Sequence, residues 1–263
     1  MKQVYVRASS LAEFFDCPSR WAAKHLGMLN LPASVPAVIG TAVHKSTAVY
    51  DQSRIDNSGL TPDDAAEALM EHLADPGEDV DWRGTSLNKA ATTALGVHAR
   101  YCTEIAPQHT YVAVEQRVDE MTIDWEELGI SITLTGTLDR MFERDGKLGV
   151  ADLKTGARAL TQNSGKHRAQ LGVYELLAEE MVRKNGATIE LPGELIKLQT
   201  SSNYDVAVDP VQDARLVLLG DELHTGMLTH LARALKTGDF WGNPSSWLCS
   251  EKYCPAWQNC FFR

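Results

Sequence analysis

Gly136-Thr137-Leu138-Asp139, Arg144-Asp145-Gly146-Lys147 and Asp152-Leu153-Lys154-Thr155-Gly156 decide the fold of this chain, because together they spell a β-hairpin with acids at matched depth. Asp145-Gly146 is a strong two-residue turn signal, since glycine reaches φ > 0 without steric cost. With the turn there, Arg144 faces Lys147, and stepping back one residue at a time along both arms sets Asp139 opposite Asp152. Directly opposed residues of an antiparallel pair share a face, with Cβ atoms roughly 4.5–5.5 Å apart. Lys154 lies two residues beyond Asp152 and points to that same face. Two carboxylates so close repel unless a cation lies between them or one stays protonated. A divalent metal satisfies the pair, with the lysine beside it to orient a water or a phosphate. The competing reading is a surface hairpin carrying an Asp–Lys pair of little energetic weight.

Outward from the hairpin, Ile130, Ile132 and Leu134 alternate with Ser131, Thr133 and Thr135, which predicts one long strand over 130–143. A strand over Tyr111–Val118 precedes it and carries Glu115, placed to support the site. A helix over about 167–184 follows, with Gln170, Tyr174, Leu177 and Met181 on one stripe. Glu194–Thr200 reads as a further strand, and Asp209-Pro210 as the start of a long helix reaching about Leu235. Toward the N-terminus, Ser10 and Glu13 read as a capping box for a short helix that stops at Cys17-Pro18. A second helix carries Arg20, Trp21, Lys24 and His25; others cover about 38–50, start at Thr61-Pro62, and run over about 86–105, with a loop at 75–88. This order predicts a mixed α/β fold, a central sheet flanked by helices.

The chain has 263 residues, enough to bury a full core, and no apolar run approaches the ~18 residues of a membrane span. An intracellular, cytoplasmic location is therefore expected. A formal net charge of −10 does not advertise a nucleic-acid binder, although clustered metal-binding carboxylates would add negative charge that cations offset. The five cysteines, an odd number, argue against a disulfide framework and for metal ligation. Cys249, Cys254 and Cys260 fall within twelve residues, and Cys17 lies far off near the N-terminus. Pro18 and Pro255 follow Cys17 and Cys254, as proline follows the last ligand of one iron–sulfur pattern. Four thiolates suit zinc equally well. Cys102 reads as an inert apolar residue. His44, after Gly40-Thr41, is either an ordinary helix residue or a third ligand beside the aspartates, the glycine allowing close backbone approach. Gln170 and Tyr174 share a helix face, which serves packing or a substrate equally.

In this order Gly40-Thr41-Ala42-Val43-His44, Gly136-Thr137-Leu138-Asp139, Asp152-Leu153-Lys154-Thr155-Gly156 and Gln170-x3-Tyr174 resemble the successive motifs of RecB-like PD-(D/E)XK nucleases. An N-terminal cysteine with a C-terminal cysteine triplet resembles the iron–sulfur members of that branch. These include the CRISPR-associated RecB-like exonucleases, phage-encoded relatives and the AddB-type nuclease domain. The resemblance implies a restriction-endonuclease-like sheet and a Mg²⁺ or Mn²⁺ pocket made by His44, Asp139, Asp152 and the Leu153 carbonyl. It makes Lys154 the catalytic lysine and Gln170 and Tyr174 accessory catalytic residues. It also implies a [4Fe-4S] cluster on Cys17, Cys249, Cys254 and Cys260. Asp152 departs from the commoner glutamate, and four residues separate Cys249 from Cys254 where relatives often have two.

The whole of 1–263 then reads as one nuclease domain: a core over 36–235 with a helical insertion at about 60–107, and a staple from 10–27 plus 245–263. DNA with free ends, preferably single-stranded, is the implied substrate, and a recombination or CRISPR-adaptation protein an implied partner. Arg20, Lys24, Arg158, Lys166, His167 and Arg168 are expected to grip phosphates, with tyrosine or tryptophan stacking on unpaired bases. Two alternatives stay open: a DNA-end-binding adaptor on the same fold, and a zinc-stapled phosphoesterase.

Overall fold

The computed structural model describes residues 1–82, 84–201 and 203–263. Its centre is the hairpin: Asp145 and Gly146 both adopt positive φ, 54° and 76°, the conformation of a tight two-residue turn. The arms β7 (Thr137–Arg144) and β8 (Lys147–Gly156) pair antiparallel, from Arg144 opposite Lys147 to Arg140 opposite Ala151. That is the frame expected from the turn. With β4 (Thr110–Arg117), β9 (Gly193–Gln199) and β10 (Val206–Val211) they form a five-stranded sheet in the order β10-β9-β8-β7-β4, while the short β2 (Ala33–Ser34) and β3 (Val80–Asp81) pair apart from it. Only the β8–β9 pair is parallel; the other three are antiparallel.

Both faces of this sheet are covered, and alternate residues divide between two cores. Met141, Val150 and Leu195 join one core with α6 (Arg168–Arg183), α7 (Ala214–Leu219) and α8 (Met227–Thr237). Phe142, Ala151 and Ile196 join the other with α3 (Val35–Asp56), α4 (Pro62–Ala74) and α5 (Leu87–Arg100). Thr61 caps α4 through a reciprocal box with Asp64, with Pro62 in the first turn. α5 runs on into a π-helical turn over Tyr101–Ile105.

Four expectations are corrected. The single strand over 130–143 is two, β6 (Ile130–Thr135) and β7, divided at Gly136 and assigned to different sheets. A Cβ on Gly136 would come within 3.0 Å of the Tyr174 ring, so a side chain at the crossing between sheets would press on that ring. β6 pairs with β1 (Lys2–Arg7), parallel, and with β5 (Met121–Trp125), antiparallel; the sequence reading placed neither partner. Asp209-Pro210 lies in the strand β10 and not at a helix start; β10 is an edge, where proline's missing N–H costs no ladder bond. The long helix expected to follow is α7 and α8, separated at Gly220, whose φ is 83°. Ser10 makes no capping bond to α1 (Leu11–Asp16); its hydroxyl donates to the Arg7 carbonyl and accepts from the Trp21 indole.

The two chain ends meet through protein contacts. Phe14 on α1 and Trp21 on α2 (Pro18–His25) pack edge-on, and Trp241 and Phe240 lie against them. The Ser19 amide donates to the Trp241 carbonyl at 3.0 Å, and Asn243 Nδ2 to the Asp16 carbonyl at 2.9 Å.

Behind the hairpin, a buried ion pair ties α3 to β7. Arg140 and Asp51 are both fully buried, with Nε to Oδ2 at 2.7 Å. The guanidinium also donates to the Asp139 carbonyl at 2.7 Å and to Thr47 Oγ1 at 3.0 Å, and Tyr101 donates its hydroxyl to Asp51. Removing one partner leaves the other charge buried and unpaired, at a cost of about 3–5 kcal/mol. Asp51→Ala is accordingly expected to lower the urea-unfolding free energy by about that amount; a loss below about 1 kcal/mol would show that water reaches Arg140.

Candidate active site

Asp139 lies on β7, between Glu115 of β4 on one side and β8 on the other. The β4–β7 register runs from Val114 opposite Arg140 to Gln116 opposite Leu138, which sets Glu115 across from Asp139. Glu115 has a φ of 47°, unusual for a residue with a side chain, and lies beyond a β-bulge at Tyr111–Ala113. Asp139 Oδ2 accepts from the Leu153 amide of β8 at 2.9 Å. From the other layer, α3 brings His44 Nδ1 to 3.5 Å from the same oxygen. Ligand atoms of His44, Glu115 and Asp139 all lie within 4.8 Å of one another.

Asp152 sits beside this trio but outside it. Gln170 Nε2 on α6 donates to Asp152 Oδ1 at 2.8 Å and to the Tyr174 hydroxyl at 3.2 Å. Lys154 Nζ lies 2.8 Å from Asp152 Oδ2, an oxygen that is buried without an aligned hydrogen bond. The expected pair of acids is thus part of a larger set: Asp139 groups with His44 and Glu115, and Asp152 with Lys154 and Gln170. Gly40 does not enforce close packing, since a Cβ there would meet Thr155 Cβ at an ordinary 3.8 Å. His44, Glu115, Leu153 and Lys154 line an open cleft walled by α3 and by Ala68 of α4.

The electrostatics follow from burying acids together. Burial, and then Asp139 nearby, pushes the Asp152 carboxyl up to about 7 against the pull of Lys154. Burial and Asp139 likewise push Glu115 up to about 7, opposed by Arg140, although its side chain keeps 43% exposure and solvent screens part of the effect. Burial holds His44 below its ordinary value, the neutral state a ligand needs, with Asp139 opposing. A buried carboxylate held by one ammonium, two further carboxylates and a neutral imidazole suit a hard or borderline divalent ion such as Mg²⁺ or Mn²⁺.

Four of the five free cysteines also converge. Cys17, Cys249, Cys254 and Cys260 line one small pocket between the chain ends. The Asn243 amide donates to Cys17 Sγ at 3.4 Å. Arg20, 7% exposed, lines the same pocket with its Nε unpartnered, while an Nη reaches Asp16 at 3.2 Å. Burial, with Cys17 and Cys260 adjacent, raises the Cys254 thiol, and Arg20 opposes. Four soft donors with a buried cation facing them fit a thiolate-bound metal centre. Cys102 lies elsewhere, against His98, its thiol pushed up by burial to about 12.

Among the residues expected to grip DNA, Arg20 is buried against the cysteines and cannot reach a phosphate, and Lys24 is paired to Glu13 at 2.7 Å. Arg168 is half-buried. Arg158 and Lys166 are exposed. His167, held down to about 3 by burial and by Lys154, lies toward the site. Glu115 enters the site through pairing of β4 with β7, and its one signal in the sequence is membership of the strand before the hairpin.

The chain matches the model of the PD-(D/E)XK nuclease superfamily over residues 6–261 and belongs to that superfamily. Its fold is similar to that of a protein from Eubacterium rectale described as "Putative exonuclease", at TM-score 0.54 and 15% identity, covering 93% of this chain and 86% of that one. A protein described as SSO0001 aligns at TM-score 0.44 and 14% identity over 99% and 87% of the two chains, too distant to carry an argument. A search of the curated proteins finds no match. Among the described residues no helix is long and apolar enough to cross a membrane.

Glu115 holds its proton more tightly in the folded chain than in the unfolded one, from 4.5 up to about 7. Its contribution to stability therefore falls as pH rises through that window. In metal-free protein, Glu115→Gln is expected to gain stability relative to wild type between about pH 5 and 8. Paired thermal melts across that range measure it, and parallel curves would contradict the crowding of acids.

Proposed function

We propose that this protein is a divalent-metal-dependent deoxyribonuclease that acts at ends of single-stranded DNA and carries a [4Fe-4S] cluster on Cys17, Cys249, Cys254 and Cys260. The reading takes residues 1–263 as one nuclease domain, with its core over 36–235 and a cysteine staple joining 10–27 to 245–263. The observation that carries it is the convergence of His44, Glu115 and Asp139 within 4.8 Å, beside the ion pair of buried Asp152 with Lys154.

In this reading His44, Asp139, Asp152 and Glu115 hold one or two ions, with the Leu153 carbonyl as a further ligand. A divalent ion there supplies Lewis-acid polarisation of the phosphate. The chain's own residues do the rest. Lys154 is anchored at Asp152 and faces the cleft, where its ammonium stabilises charge that builds on the phosphate in the transition state. Gln170 holds Asp152 in orientation and ties it to Tyr174, so α6 fixes the carboxylate that fixes the lysine. Arg140 supports β7 from behind, through the Asp139 carbonyl.

Zinc on the four thiols is the chemical rival to the cluster, and metal analysis separates them. Protein purified without air is expected to be brown with stoichiometric iron. Zinc without iron would replace the cluster with a zinc staple and leave the nuclease reading standing. Cys254→Ser is expected to lose that metal and much of its solubility.

End-labelled single strands with Mn²⁺, and with EDTA as control, test the activity. Lys154→Ala is expected to lower cleavage by about 10²–10³-fold with the fold and colour intact, and Asp152→Ala to abolish it. His44→Ala is expected to weaken Mn²⁺ binding more than DNA binding. A wild type that binds DNA but never cleaves it would favour an end-binding adaptor.

A further inference from the structure

The cysteine-bearing tail carries a stripe of rings and cations that neither the metal-binding residues nor the staple uses. Trp247 is 63% exposed, although it lies between Ser246 and Leu248, which line the cysteine pocket. Arg158 Cζ lies 5.8 Å from the Trp247 ring centroid, and Tyr253 meets the same ring edge-on at 5.3 Å. Lys252 Nζ lies 5.0 Å from the Tyr253 centroid. Two adjoining rings flanked by two cations thus form one row across two segments far apart in sequence.

The stripe leads toward the candidate active site. Arg158 follows two residues after the end of β8, the strand that carries Asp152 and Lys154. Lys166 is exposed on the same connection as Arg158, the one that runs from β8 to α6. In a chain of net charge −10, this run of exposed positive groups beside an exposed indole is a local reversal of sign. Phosphates complement it, and a bare ring with a cation over it offers stacking to a base, which every nucleobase accepts through its π face. A duplex keeps its bases stacked on each other and cannot use the ring.

We propose that Trp247, flanked by Arg158 and Tyr253, is a stacking platform for unpaired bases, and that Lys166 guides the intervening backbone from it to the cleft at Lys154. The platform rests on the nuclease reading for its substrate chemistry and names where that substrate is held outside the reacting centre. The aromatic ring supplies sequence-tolerant contact, and the cations supply a salt-dependent one.

The test measures binding without cleavage: anisotropy of a labelled oligothymidylate 12-mer with the full-length protein in magnesium-free buffer, set against a duplex of the same length. Trp247→Ala is expected to weaken single-strand binding about tenfold or more and to leave duplex binding within about twofold. Trp247→Phe is expected to retain most of the affinity, and Phe261→Ala, an exposed ring off the stripe, all of it. Arg158→Ala and Lys166→Ala are each expected to lower the salt slope by about 0.7. Equal binding by wild type and Trp247→Ala overturns the platform, as does equal loss on single strand and duplex. If Trp247→Ala also loses bound metal, Trp247→Phe and Arg158→Ala decide: wild-type affinity in Arg158→Ala with loss in Trp247→Phe would show a packing role and overturn it. Trp247-dependent binding with no cleavage under Mn²⁺ would overturn the nuclease reading alone.

Discussion

Like charges crowded at one end of a sheet govern this structure. Asp139, Asp152 and Glu115 come from three adjacent strands, and two of them are almost wholly buried. Such an arrangement is unfavourable by itself, because desolvation and mutual repulsion both penalise the charged forms. The surrounding fold supplies the compensation. Lys154 sits on Asp152, the Leu153 amide on Asp139, and Arg140 lies behind with one guanidinium arm toward Glu115 at 3.6 Å. Three carboxylates against the cations of Lys154 and Arg140, the latter already paired with Asp51, leave a negative excess that makes the end of the sheet receptive to a cation.

Arg140 links this site to stability. It is buried completely, so its charge must be met inside the protein, and Asp51 of α3 meets it. The same helix delivers His44 two turns earlier. One ion pair therefore locks the histidine-bearing helix against the strand that carries Asp139. Strain enters at Glu115, whose positive φ turns its carboxylate to the group of His44 and Asp139. Function-bearing geometry and folding geometry are the same contacts here.

The chain ends are a second centre built on different physics. Aromatic packing of Phe14, Trp21, Phe240 and Trp241 brings the termini together, and four thiols then face one pocket. Arg20 shows why residue type alone misleads. A basic residue near the N-terminus reads as a phosphate contact, but burial turns it toward the thiols. Arg158 and Lys166, of the same chemical kind, stay exposed because they lie on the connection between β8 and α6.

Local signals were sufficient where turn chemistry and side-chain period act over a few residues. The Asp145-Gly146 turn and the alternation on either side of it determined the hairpin and its register, from Arg144 opposite Lys147 to Arg140 opposite Ala151, one step short of Asp139 and Asp152. The same local logic determined the Thr61 cap and the Gln170–Tyr174 face. It failed at Pro210, where a helix-start signal is overruled by pairing with Glu194 at a sheet edge, and at Gly136, where one apparent strand serves two sheets. Only the tertiary structure decided that Glu115 completes the cluster, that His44 crosses from another layer to reach it, and that Cys17 meets residues over two hundred positions away. Those meetings depend on how layers pack across the sheet, and packing is set by the whole core, so no short window of sequence contains it.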